Sequence, residues 1–200
     1  MTADRIRELI HDTIAEVFTT LNSLGEQHGW DFQNPADYDL IKTALESVVS
    51  DTFATRELQI LAESYYCNCD ISFRPLYTGP VGFRLQQPVE HLIFATVLEP
   101  ASSMDNNAYL WTVALLYADE RWKLHQLTRT PIGTHDLQLT ITEAEQLLEY
   151  EYRGDAIFVK TYDSREAGGS VYLFKIVTAN TEFYRAIRPR DTKLVDDFSL

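Results

Sequence analysis

Cysteine is nearly absent from this chain. Cys67 and Cys69 are the only two in 200 residues. A C-x-C pair cannot build a disulfide framework, and it is two thiolates short of a four-cysteine zinc site. Both are expected as reduced thiols. Long hydrophobic runs are absent as well: no uninterrupted apolar stretch approaches the roughly 20 residues that a helix needs to cross a bilayer. Positive charge is scarce, with Lys and Arg at 17 against 30 Asp and Glu, a net of −13. That balance argues against nucleic acid and anionic membranes as partners. The first twenty residues carry Asp4, Glu8, Asp12 and Glu16, which suits neither a secretory signal nor an Arg-rich transit peptide. The expected location is cytoplasmic. Also missing are G-x-S-x-G, the P-loop, a dinucleotide glycine motif and H-E-x-x-H. No internal repeat, low-complexity segment or domain-separating linker is visible.

What is present is ordinary for a globular protein: 45% hydrophobic and 24% charged residues, with 11 Tyr, 10 Phe and 3 Trp. Aromatic side chains supply large burial each, so the chain has the means to build a core. Two hundred residues make one large domain or two small ones. The expectation here is a single domain over 1–200, with a helical segment 1–66, a mainly β segment 67–190 and a loose tail 191–200. The charge is unevenly placed. Residues 1–66 hold 12 Asp/Glu and 4 Lys/Arg, a net of −8, and the remaining 134 residues account for the other −5.

Periodicity predicts a helix over 3–28. Ile6, Leu9, Ile10, Ile14, Val17, Phe18, Leu21 and Leu24 recur at spacings of three and four, which gathers them on one side. Asp4, Glu8, Asp12, Glu16 and Glu26 fall on the other. Gly25 and Gly29 are expected to loosen its end, with Trp30 and Phe32 tucked into the core. Asn34-Pro35-Ala36-Asp37 reads as a helix start, Asn capping and Pro in the first position. Tyr38, Ile41, Leu45, Val48 and Val49 follow as a stripe. A further helical segment covers about 52–66, with a break near Ser50-Asp51 left open.

The period changes after Cys69. Residues 71–88 read as loop and edge strand, and 89–99 as strand. A hairpin is expected from 109–117 and 121–129 across Ala118-Asp119-Glu120, its first arm apolar on both faces and so central in a sheet. Leu137, Leu139 and Ile141 alternate. Thr142 and Glu145 stand at capping-box spacing and open a short helix, with Gly154 past its end. A second hairpin pairs 155–163 with 170–178, and a last strand, 182–188, stops at Pro189. Helices first and strands after make an α+β protein: N-terminal amphipathic helices packed on a mainly antiparallel, curved β-sheet, with one short helix between later strands.

Candidate chemistry is sparse. Glu8 and His11 form an E-x-x-H, but a di-iron site needs a second such motif and further glutamates, and none exists. His11-Asp12 and His135-Asp136 lack the additional His and Asp of a metal phosphohydrolase. No metal or cofactor is therefore expected. His28, His91 and His125 are scattered. His125 is offset by an odd number from Trp122 and faces the other side of its strand. Cys67, between Tyr66 and Asn68, has no electropositive setting to activate it. Arg185, Arg188, Arg190 and Lys193 form the one basic cluster and are candidates for binding an anion. Arg74 and Arg84 could join it only through the fold, and Asp191, Asp196 and Asp197 could equally balance its charge.

The strand-turn-strand Tyr109–Leu127, whose turn exit reads Glu120-Arg121-Trp122-Lys123-Leu124, resembles one hairpin of the nuclear-transport-factor-like cone fold. The resemblance covers that hairpin alone. In that family helices precede a curved sheet that encloses a pocket, so the resemblance implies an apolar pocket. No acid or histidine here matches the family's catalytic members.

Two functions are carried forward. The first is a non-catalytic protein-binding module, an adaptor, immunity or regulatory protein, whose binding face is Asp4, Glu8, Asp12 and Glu16. Its partner would be another protein, with self-association open. The second is a small-molecule-binding or weakly enzymatic domain. Its pocket would be lined by Tyr109, Trp111 and Trp122, with His125 or an Arg orienting the ligand.

Overall fold

Thr2 starts the first helix: in extended conformation, its side chain accepts a hydrogen bond from the Arg5 amide. The structure, a computed structural model, describes residues 1–67, 79, 81–101, 107–133 and 136–196. Helix α1 spans Ala3–His28 and buries Ile6, Ile10, Ile14, Val17, Phe18 and Leu21, the stripe its periodicity predicts. Gly25 does not loosen it. The helix runs three residues further and ends where Gly29 adopts a left-handed φ of 62°, with its amide on the Gly25 carbonyl. Phe32 is a correction: it is 71% exposed. The Asp31 carboxylate accepts from the Gln33 and Asn34 amides, each at 2.8 Å, and this local turn fixes the chain after α1.

Helix α2 (Tyr38–Leu45) is capped by Asp37, whose side chain receives the Asp39 amide, and not by Asn34. Asn34 instead donates to the Gly29 carbonyl at 2.9 Å. Ser50 then caps α3 (Asp51–Arg56), which resolves the break near Ser50-Asp51, and α4 (Leu58–Tyr66) follows.

Strands β1 (Arg84–Val89), β2 (Leu92–Glu99), β3 (Tyr109–Ala118) and β4 (Arg121–Pro131) form a sheet in the order β1-β2-β3-β4. Asp119 and Glu120, with φ of 51° and 62°, make the two-residue β3–β4 turn. Positive φ at both central positions matches the twist of a hairpin. β3 is interior, with Trp111, Val113, Ala114 and Leu115 all buried.

Helix α5 (Ile141–Tyr152) opens on a capping box two residues earlier than expected. Thr140 and Glu143 exchange bonds, and Thr142 and Glu145 do not form it. The helix closes at Arg153 in left-handed conformation. Gly154 follows because a β-carbon there would lie 2.4 Å from the Val177 carbonyl oxygen. Strands β5 (Asp155–Ser164), β6 (Gly169–Val177), β7 (Glu182–Ile187) and β8 (Leu194–Val195) form a second antiparallel sheet in that order. The α+β class holds, but the strands divide into two four-stranded sheets where one was expected. In the region read as a loose tail, β8 pairs with β7, and Asp191, Thr192 and Val195 are buried. Leu137, Leu139 and Ile141 form no strand. Leu137 and Leu139 donate their amides to the carbonyls of Arg190 and Pro189.

By proximity the chain forms two compact units. Unit 1 takes Met1–Thr78, Arg84–Val97 and Trp111–Arg129. Unit 2 takes Gly79–Phe83, Leu98–Leu110 and Thr130–Leu200. In unit 1 the helical segment is sewn along β4. Val49 bridges Leu124, the Leu127 amide donates to Glu57, and Lys123 reaches the Glu46 carbonyl at 3.0 Å. These contacts occupy part of the sheet edge that would otherwise be open to another chain. In unit 2, Val171, Leu173, Ala186 and Val195 form a core cluster with Ala167, and α5 packs on β5 and β6. Among the described residues no helix is long and apolar enough to cross a membrane.

Candidate functional site

The acidic face of α1 is exposed, as its phase requires, and three of its carboxylates meet an arginine. Asp4 pairs with Arg7 and Glu8 with Arg5, each at 3.0 Å. His11 Nδ1 lies 3.4 Å from Asp12. Glu16 accepts from Arg121 at 3.0 and 3.3 Å, a contact from α1 to β4. Exposed pairs like these contribute about 0–1 kcal/mol each. Their consequence is electrostatic: Asp4, Glu8 and Glu16 each already have a cationic neighbour within the molecule.

The basic cluster is dispersed in role. Arg188 forms a two-pronged pair with Asp191, both largely buried, and also donates to the Ala167 carbonyl. The hydrogen bond to Asp191 holds the guanidinium pKa above its ordinary value. Arg185 donates to the Tyr152 hydroxyl at 3.1 Å and lies 4.9 Å from the Phe183 ring centroid. Arg190 is exposed and Lys193 half-buried. Arg74 and His135 lie outside the described residues.

Tyr109, Trp111 and Trp122 line neither of the two cavities described below. Trp111 is 3% exposed, a core residue, and Tyr109 is half-buried. Trp122 packs on Tyr117 with ring centroids 5.3 Å apart. His125 faces the helical segment, its Nδ1 2.9 Å from Ser50 Oγ. That serine is buried and already accepts the Phe53 amide at 3.2 Å, so it serves as a helix cap. Among the described residues no carboxylate hydrogen-bonds the His125 ring, and no group of three His, Cys, Asp or Glu is placed to hold a metal ion. Cys67 is disulfide-bonded, which corrects the expectation of a reduced thiol. Cys69 lies outside the described residues.

Among the described residues, each unit holds a cavity elsewhere. The unit 2 cavity has a volume of about 500 Å³. Leu147, Leu148 and Ile187 line it with Pro100 and Ala101, while Glu151 and Thr192 bring polar groups. Thr192 Oγ1 accepts the Ala101 amide at 2.9 Å, and its φ of 64° marks a tight turn before β8.

The unit 1 cavity measures about 280 Å³ and is lined by the α1–α2 connection, α2 and α4. Phe32, Tyr38 and Tyr66 supply aromatic walls, and Asp31 and Glu63 supply carboxylates. Both tyrosine hydroxyls are spent on backbone carbonyls, Tyr38 on Ala54 and Tyr66 on Leu21. Burial pushes the Tyr66 phenol up to about 12, with the neighbouring Tyr65 adding to it. Burial also raises Tyr38, helped by Asp39. The rings are therefore neutral and held in place. Asp31 bonds only to amides of its own turn and Glu63 to the Gln59 side chain; among the described residues neither is in an ion pair. Sequence reading missed this site because Phe32 and Tyr38 read as core. The available signal was Asp31-Phe32 directly after the Gly29 helix stop.

The chain matches no protein-family model, no curated protein and no solved structure.

Proposed function

We propose that this protein is a non-catalytic binding module that recognises a positively charged partner protein through unit 1. One observation carries the reading: Asp31 and Glu63 line a cavity and lack ion pairs among the described residues, whereas Asp4, Glu8 and Glu16 of α1 each meet an arginine. The net of −8 over residues 1–66 supports it, because a one-signed field draws an oppositely charged partner and suppresses wrong ones. Asp4, Glu8, Asp12 and Glu16 would then steer the encounter from the rim.

A native mass spectrum of the protein isolated gently from its own host tests this. The expected result is the added mass of a second, basic polypeptide that dissociates as salt is raised. A bare chain, or a homo-oligomer without a second polypeptide, overturns it. A cytoplasmic setting is a separate proposal, against which the Cys67 disulfide counts, and the state of Cys67 in cells tests it. Reducing compartments keep thiols reduced, so a disulfide retained in cells would place the protein elsewhere.

The unit 2 cavity favours a second reading, a small-molecule site. Its volume of about 500 Å³ falls within the range of ligand pockets, roughly 300–1,000 Å³, and its lining is apolar with few polar groups. A small stoichiometric adduct in the same spectrum would select it.

A further inference from the structure

We infer that the unit 1 cavity receives one cationic side chain, the guanidinium or ammonium group of an arginine or lysine on the partner. The inference rests on the binding-module reading above and specifies the group recognised. Three features converge on that chemistry. Phe32, Tyr38 and Tyr66 contribute aromatic rings to the lining, and cations are attracted to the electron-rich faces of such rings. The polar groups of the lining that carry charge are both carboxylates, Asp31 and Glu63, and neither is neutralised by an ion pair among the described residues. Both carboxylates are exposed to solvent at the rim of the cavity, and an anion placed here would meet like charge. The volume of about 280 Å³ suits one long side chain better than a packed helix or strand.

The tyrosines bias the site further. With their hydroxyls committed to Ala54 and Leu21, they have no free donor for an anionic ligand and present ring surface. A β-carbon on Gly25 would lie 2.6 Å from Tyr66 Cε1, so this glycine lets the ring sit where it lines the cavity. Phe32, 71% exposed, is available to close over the aliphatic stem of an incoming side chain.

The test uses the full chain, isotope-labelled for amide NMR, titrated with a capped Gly-Gly-Arg-Gly-Gly peptide and with the same peptide carrying citrulline. Citrulline keeps the shape and removes the charge. The expected result is saturable shifts confined to amides of residues 29–41 and 59–67, with citrulline binding about tenfold more weakly because the charge-assisted contacts are gone. Asp31→Asn with Glu63→Gln should weaken the arginine peptide to a similar degree. Both substitutions keep the oxygen that accepts the local bonds. Glu149→Gln with Asp163→Asn, exposed positions of unit 2, should leave it unchanged. Should the double variant prove unstable, Phe32→Ala at its exposed position should also weaken binding.

Equal binding of citrulline, equal loss in the Glu149/Asp163 variant, or no saturable shift overturns the inference. Failure here is separable from failure of the module reading. A native complex that survives Asp31→Asn with Glu63→Gln removes only the pocket. A pocket that binds the peptide while no basic polypeptide accompanies the protein removes the module.

Discussion

Ser50 Oγ stands 2.9 Å from His125 Nδ1, joining the cap of α3 to strand β4. The serine also accepts the Phe53 amide at 3.2 Å, so one hydroxyl serves both the helix cap and the bond across to β4. Ser50→Ala should lower stability by about 1–2 kcal/mol, since a cap and a cross-element bond go together. His125→Leu should cost less after Ser50→Ala than before it. Urea unfolding of the four-member cycle checks the coupling, and simple additivity would mean that the two residues do not interact.

Gly25→Ala should destabilise the protein by about 1–3 kcal/mol, although alanine is the better helix former by about 1 kcal/mol. The new methyl would stand 2.6 Å from the Tyr66 ring. Tyr66 is 9% exposed, bonded to the Leu21 carbonyl and packed edge-on against Trp30, so it has little room to yield. Thermal unfolding reads the sign. A stabilised variant would show that the ring moves freely.

Stability should fall as pH rises from 10 towards 12. Tyr66 ionises at about 12 when folded and at 10.0 as the model phenol. Between those values the unfolded chain releases a proton that the folded chain retains, so unfolding is favoured as pH increases. The stabilisation is fully present below pH 10. Tyr66→Phe should flatten this part of the profile, measured by denaturation at successive pH values. An unchanged slope would assign the dependence to other groups.

Arg188→Leu should cost about 3 kcal/mol or more, because it leaves the Asp191 carboxylate buried without its two-pronged partner. Exchange protection should drop first at β8, which the Arg188–Asp191 turn connects to β7. Pairing Arg188→Leu with Asp191→Leu should recover much of the loss. If the single variant unfolds within a few tenths of a kcal/mol of the parent, the pair is effectively solvated.

Charge reversal at Asp4 and Asp12 should change stability by less than about 1 kcal/mol, since both side chains are more than 70% exposed. It should slow association with a basic partner and flatten the salt dependence of that rate, with little effect on dissociation. Stopped-flow mixing at two ionic strengths separates the two. A change confined to the dissociation rate would place these residues inside the contact instead of at its rim.

Much of the architecture was legible because its causes are local. The three-and-four spacing of Ile6, Ile10, Ile14, Val17 and Leu21 is enough to bury one side of α1, and Gly29 ends it. The Asp119-Glu120 turn lies where two alternating runs meet. Caps were misplaced by two or three residues at Asn34 and Thr142 because several polar side chains compete for each helix start, and the geometry of the approaching chain selects among them.

The candidate site was not legible, and the reason is distance along the chain. Asp31 and Glu63 are separated by 32 positions, and Gly25 makes room for a tyrosine 41 positions later. Nothing local ties such residues together. The sequence by itself determined the class, the phase of α1, the hairpins and the concentration of acid in the first third, since propensity, periodicity and charge act between near neighbours. Tertiary structure decided that the strands make two sheets. It also decided that Glu16 meets Arg121, and that Asp31 and Glu63 line the same cavity as Tyr38 and Tyr66. Those outcomes depend on which distant surfaces exclude water together, and packing sets that only once the chain has folded.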